Sequence, residues 1–538
     1  MPRRDTTTRR QGTRDDMSGV ARDGAIKLAG SIIAGLCGFL FVVVLARGLG
    51  VNRTGAFYEA LALFLIASSL TKLGADVGLI RMIPRYRELG RVADLRRTIL
   101  IGLLPVLGMG ALLGGCLFVF APQLAELVAK GEHVERLIPY IRVLAPFVGL
   151  NAASTVVTSA TRGFHTMIPL VVVNNIGRPL LRPLLAVIVI LAGMGGIAVT
   201  LAYAGPVALG LVAALLWLYR LLRRVEDRAS PGSLPPTPTR RLASEFWRFA
   251  APRAFGAVFT TSVTWLSTLL LGGLRSTVDA GVYAASSRYI HLGSFALTIL
   301  FLTISPQLSA LLSRGDNERA EGMYKTSTNW LMLSSWPIYL TMAAFAPVIL
   351  GVFGQEFVVG QTALMTLALA QLFSMAAGPA NTVLLMGGYS LLNTLNTVVA
   401  LALNIGLNLV LIPRYGLEGA AVATLASILA NNLAAIVELR VLLKMSPVGQ
   451  GFWTVALGSL FCFGGLGLLA RLALGESLLS LVAFGVVASI LYLGLIWRSR
   501  GVLQLTVLRD VLKARGRKRY GRRSEIDPEV GVPPIEPT

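Results

Sequence analysis

The chain has 538 residues, of which 54% are hydrophobic and 14% charged, with a mean hydropathy of +0.69. That composition excludes a soluble globular protein and points to a polytopic membrane protein. A net charge of +22 raises nucleic acid as a partner, but the basic residues sit in short connections and tails beside apolar spans. This is the topology pattern of membrane insertion, so no nucleic-acid partner is expected.

In chain order, residues 1–24 are polar and basic and read as a disordered cytoplasmic arm. The first apolar run, from Ala25 to Leu45, exceeds a signal-peptide core and lacks a small-residue cleavage pattern, so no cleavable signal is expected. Further apolar windows lie near 56–80, 98–120, 138–160, 168–191, 196–219, 249–273, 280–311, 328–352, 362–385, 391–412, 417–443, 452–474 and 478–497. With the first run they give about fourteen helices of bilayer-crossing length, an all-α fold. Cys37, Cys116 and Cys462 all fall inside these windows and read as small buried hydrophobes, not disulfide partners.

Arginines collect in alternate connections: Arg81 to Arg97, Arg220 to Arg248, and Arg314 to Lys325. The opposite connections carry only scattered cations, which places both termini in the cytoplasm of a cell-membrane protein. The Pro-rich segment SPGSLPPTPTRR interrupts the spans. It divides the chain into helices 1–6 (residues 25–219), a cytoplasmic linker (220–248), helices 7–12 (249–443), helices 13 and 14 (444–498) and a basic cytoplasmic tail (499–538). The halves repeat. GAFYEA near Gly55 matches GVYAAS near Gly281, FAP at Pro122 matches FAP at Pro347, RGFHTM matches GGYSLL, and GGIAVTLA matches EGAAVATLA, all at offsets of about 225 residues. Two pseudo-symmetric six-helix lobes plus two added helices are expected.

The fifth span reads NNIGRPLLRP over Asn174–Pro183. Arg178 then lies about 15 Å into a core about 30 Å thick. Asn174, Arg178 and Arg182 are spaced by four and share one helical face. Guanidiniums at that depth require a wet face or a partner, so they mark a functional cavity. Under the repeat, Asn404 and Asn408 fall near Arg178 and Arg182, so the polar stripe is duplicated and its charge is not. Asn151, Thr155, Thr158, Asn381, Asn393 and Asn396 add polarity, although helix-to-helix hydrogen bonding explains any one of them.

Arg253 stands about two turns into the seventh helix, where snorkelling competes with a cavity role, and Arg288 lies midway along the eighth. His291 shares the face of Arg288 and is either a core hydrogen-bonding residue or a proton relay. Lys72 and Asp76 are four apart and can neutralise each other; Asp76 and His291 are the candidates for ion coupling. Glu59, near the outer end of the second helix, reads as interfacial, and Arg142 and Arg162 read as headgroup anchors at the outer and inner ends of the fourth. The expected substrate site is therefore a cationic cavity of Asn174, Arg178, Arg182, Arg253, Arg288, Asn404 and Asn408, suited to phosphate or carboxylate. No catalytic set, cofactor or metal site is read.

Over residues 25–497 the chain resembles the polysaccharide (O-antigen type) flippases of the multidrug/oligosaccharidyl-lipid/polysaccharide exporter superfamily. The resemblance is carried by LARGLGVNRTGAFYEALA, LIRMIPRYRELGR, GGLRSTVDAGVYAASSRYI and PRYGLEGAAVATLAS, in that order. It implies a V-shaped, MATE-like pair of lobes that alternate access and move undecaprenyl-diphosphate-linked glycans outward. Membrane lipids, and a polymerase or glycosyltransferases of the same pathway, are the implied partners. The seventh helix departs from the pattern, with Trp265, Leu266 and Ser267 where members often carry a polar or acidic residue. Rival readings are a cation-coupled drug antiporter, which needs a deep unpaired carboxylate, and a membrane glycosyltransferase, polymerase or ligase. Such an enzyme needs an external acid–base loop, and the longest external connection offers only Glu126, Glu132, His133 and Glu135. A non-transporting scaffold is a further alternative.

Overall fold

The computed structural model describes residues 6–131, 133–164, 166–227, 237–501 and 503, and every regular element among them is helical. Backbone groups in a hydrocarbon medium must be satisfied within their own segment, so helices of this length are the available solution. The first lobe comprises α1 (Thr6–Thr71), α2 (Ala75–Glu88), α3 (Ala93–Val119), α4 (Ala121–Val128), α5 (His133–Leu144), α6 (Phe147–Gly163), the single turn α7 (Ile168–Leu170), α8 (Arg178–Leu191) and α9 (Gly196–Glu226). The second comprises α10 (Thr239–Leu274), α11 (Thr277–Ser313), α12 (Asn317–Ala344), α13 (Ala346–Gly351), α14 (Gln361–Ala376), α15 (Ala380–Met386) and α16 (Ser390–Leu442). Then α17 (Gln450–Ser459), α18 (Leu466–Leu474) and α19 (Leu478–Arg498) follow, and α17 and α18 pack on α12.

Among the described residues, nine helices are long and apolar enough to cross a membrane, or ten with the bent pair α5 and α6 counted as one span. Two of these carry internal breaks, at Gly50 in α1 (φ 73°, ψ 174°) and at Gly416 in α16 (φ 56°, ψ −128°). Both breaks fall between sequence windows, so the architecture is compatible with fourteen spans. The repeat also folds alike in detail. Phe120 and Phe345 each end a long helix, and each is followed by a short one with proline in its first turn.

Three differences from the sequence reading have physical causes. Residues 6–24, read as a disordered arm, continue α1 as helix; once the apolar span has nucleated a helix, extension needs only one bond per residue. The linker shortens, because α9 runs to Glu226 and α10 starts at Thr239. Residues 228–236 and the tail from 504 onward lie outside the described residues. Lys72 and Asp76 do not share a helix, since the chain turns through Leu73 (φ 52°) and Gly74 (φ 75°). A side chain at Gly74 would meet the carbonyl oxygen of Ala250, so close approach of α10 sets the break.

The lobes meet at both ends. At the end away from the clustered arginines, a Cβ on Gly281 would lie 2.9 Å from Gly55 Cα, and one on Gly55 would strike the carbonyl of Thr277. Glu59, read as interfacial, is instead fully buried in this seam, where its carboxylate accepts from Thr277 Oγ1 at 3.3 Å. Around it Arg47 Nε donates to the carbonyl of Val352 at 2.8 Å, and Glu356 accepts from Val51 N at 3.2 Å. At the basic end the contact is between α2 or α3 and α10, through Gly78 against Phe246 and an Arg85–Glu245 ion pair of 2.7 Å.

Candidate functional site

Between the two seals lies a cavity of about 410 Å³ lined by α1, the start of α8 and the turn before it, and single residues of α9, α10 and α11. Two of its wall residues are guanidiniums from opposite lobes, Arg182 on α8 and Arg288 on α11. Each is held by an aromatic ring. Arg182 lies 3.8 Å from the centroid of Tyr203 and donates from Nε to the Tyr203 carbonyl at 3.2 Å. Arg288 lies 4.5 Å from Trp265 and 5.3 Å from Tyr58. Away from water such cation–π contacts are worth about 2 kcal/mol, and they position a charge without neutralising it. No carboxylate is among the lining residues, so the wall is net cationic, and its planar guanidinium forks match paired oxygens of an anion such as phosphate.

The expected stripe of Asn174, Arg178 and Arg182 divides. A π turn over Val171–Gly177 carries one extra residue and shifts the register ahead of α8. Asn175 therefore lines the cavity and donates to Ser31 Oγ at 3.2 Å, while Asn174 turns to Thr158 Oγ1 of α6 at 3.1 Å. Arg178, 7% exposed, is wedged between α6 and α9, donating to Asn151 Oδ1 at 3.3 Å and the Val207 carbonyl at 3.5 Å. Gly210 of α9 leaves the space it occupies. Arg178 thus stands behind the cavity wall rather than in it.

Arg253 is exposed at the basic end, 3.7 Å from the Phe249 ring, in a separate groove. Arg288 and Trp265 also border a second cavity of about 410 Å³ inside the other lobe, where Asn404 joins Asn381, Gln371 and Asn431. Its described lining mixes amide and hydroxyl side chains with apolar ones and, Arg288 apart, is uncharged. Asn408 is fully buried behind it, donating to Asn404 Oδ1 at 3.0 Å and Ser267 Oγ at 3.2 Å. Asp76 borders neither cavity, and its buried Oδ1 has no hydrogen-bond partner. The side chain of His291 lies outside the described residues.

Sequence reasoning passed over Asn175, Tyr203, Tyr58, Gln371 and Asn431. Gln371 and Asn431 carried a usable signal, since an uncharged amide within an apolar window is itself unusual. The aromatic holders carried none, because a tyrosine in a span is ordinary core.

A family model described as "polysaccharide biosynthesis protein" matches residues 20–312. Two curated relatives are the probable low-salt glycan biosynthesis flippase Agl15 of Haloferax volcanii, 30% identical over 32% of this chain, and the stage V sporulation protein B of Bacillus subtilis, 25% identical over 62%. The matches span 36% and 64% of those relatives' lengths. Among solved structures, an inward closed conformation of the lipid II flippase MurJ matches with a TM-score of 0.66 at 13% identity, covering 91% of this chain and all of the other. An inward-facing multidrug resistance MATE family transporter of the MOP superfamily matches with a TM-score of 0.63 at 17% identity, covering 81% and 98%. At such identities the likeness is one of fold: a multi-pass, two-lobed MATE-type membrane protein.

Proposed function

The chain belongs to the polysaccharide biosynthesis protein family, and from that premise we propose that it is a flippase. It carries a polyprenyl-diphosphate-linked oligosaccharide across the cytoplasmic membrane by alternating access, for surface polysaccharide assembly. In this reading both termini and the Pro-rich linker face the cytoplasm, and the glycosyltransferases or polymerase of the same assembly are its functional partners. The carrying observation is that Arg182 and Arg288, one from each lobe, line a single cavity with no carboxylate among its lining residues. A diphosphate entering it engages both lobes at once, so binding energy couples directly to their relative movement. A cation-coupled drug antiporter needs an acidic residue in that wall, and neither central cavity has one among its described lining.

The test is translocation of a fluorescent undecaprenyl-diphosphate oligosaccharide by the full chain in proteoliposomes. Replacing both guanidiniums, Arg182→Gln with Arg288→Gln, removes two charge-assisted phosphate contacts and is expected to slow transport at least about tenfold. Transport at the unaltered rate, with equal protein in the membrane, overturns the assignment.

A further inference from the structure

At the basic end, outside both central cavities, α2 and the first turns of α10 enclose a groove of about 840 Å³. Arg81 and Arg85 line it from α2, and Arg240, Arg241, Arg248 and Arg253 from α10. Its one lining carboxylate, Glu245, is engaged by Arg85 at 2.7 Å. We propose that this groove is a binding site for the phosphate of a membrane-lipid headgroup, distinct from the central cavity and independent of what that cavity transports.

Clustered arginines beside a span are by themselves a topology signal, and four features of the groove go beyond that. First, Arg81 and Arg253, from different helices, both stack on the ring of Phe249, at 4.1 and 3.7 Å from its centroid. Two like charges held beside one ring repel each other, an anion bound in the groove relieves that repulsion, and guanidinium forks match phosphate oxygens in pairs. Second, the groove is built before any ligand arrives. Thr237, beside the wall residue Pro238, donates from its backbone N–H and hydroxyl to Asp94 at 3.0 and 2.7 Å, and Arg91 pairs with the same buried carboxylate at 2.7 Å. Third, the lip lies where the polar start of α10 gives way to its apolar span, with Trp247 and Phe249 at the transition, which is headgroup depth. Fourth, its walls belong to both lobes, so an anion seated there ties α2 to α10.

A phosphate at that depth is available from an anionic phospholipid or from an isoprenoid diphosphate, and the experiment separates them. The purified full chain is placed in phosphatidylcholine nanodiscs and titrated with fluorescent short-chain phosphatidylglycerol and, separately, with undecaprenyl diphosphate. At least one probe is expected to bind about tenfold more weakly to the Arg81→Gln, Arg253→Gln variant than to the unaltered chain. In the phosphatidylglycerol titration, which does not involve the cargo diphosphate, Arg182→Gln should leave binding unchanged. Glu245→Gln frees Arg85 at the expense of a half-exposed ion pair that contributes little to stability, so it should tighten binding several-fold. Preference for phosphatidylglycerol identifies a resident phospholipid, and preference for the diphosphate identifies a headgroup of the cargo class; either supports the site. Equal affinity in the double arginine variant, or no tightening in Glu245→Gln, overturns it.

Discussion

Arg178 and Arg182 are one turn apart on the same helix, yet the fold uses them differently. Arg182 has a ring on one side and a cavity on the other, whereas Arg178 fills a slot that Gly210 leaves in α9. A Cβ at position 210 would sit 2.8 Å from Arg178 Nε and 2.9 Å from Val173 Cγ1. Overpacking there is expected to destabilise by about 1–3 kcal/mol. Gly210→Val should therefore lower the thermal unfolding midpoint of the purified protein, while Gly205→Ala, with open space around it, should not. That a cavity bordered by arginine lies beside this helix was legible in the sequence, because an arginine deep in an apolar span is costly unless it faces water or a partner. Which arginine faces it was not legible: that depends on a π turn with no sequence marker and on a glycine thirty-two positions away in the chain.

At the scale of the element, α1 passes from one span to the next through Gly50 at φ 73°, ψ 174°, a conformation that side chains essentially do not adopt. The next backbone N–H, that of Val51, is held by Glu356 of the other lobe at 3.2 Å. Gly50→Ala is therefore expected to lose about 1–3 kcal/mol and, in the same thermal assay, to make the effect of Glu356→Gln smaller than it is in the unaltered chain. Hydropathy located the spans well because lipid imposes a single demand, about twenty apolar residues per crossing. The break at residues 72–74 escaped it, since only the Ala250 carbonyl pressing on Gly74 makes a turn necessary there. Helix in residues 6–24 was also missed, because polar composition argues against a packed core and not against helical extension.

For the whole molecule, the seam at Gly55 and Gly281 holds the lobes together at the end away from the clustered arginines. Backbone meets backbone there, with a Cβ at 281 facing Gly55 Cα and N at 2.9 Å and the Val51 carbonyl at 3.0 Å. No flexible side chain can yield, so Gly281→Val must part the lobes at that end. Cys37 reports the result, since it lines the cavity while Cys116 and Cys462 do not. In a chain carrying Cys116→Ala and Cys462→Ala, an impermeant thiol reagent applied outside intact cells should label Cys37 slowly. Adding Gly281→Val should accelerate that labelling several-fold if the seam closes the outer side. The wall also selects by charge: beside Arg182 and Arg288, a sulfonate-bearing reagent should react faster than a trimethylammonium one, and Arg182→Gln with Arg288→Gln should remove the preference. Equal rates for the two reagents in the unaltered cavity would mean that its guanidiniums do not set the local field, and the cationic vestibule on which the proposed transport of a diphosphate rests would have to be abandoned.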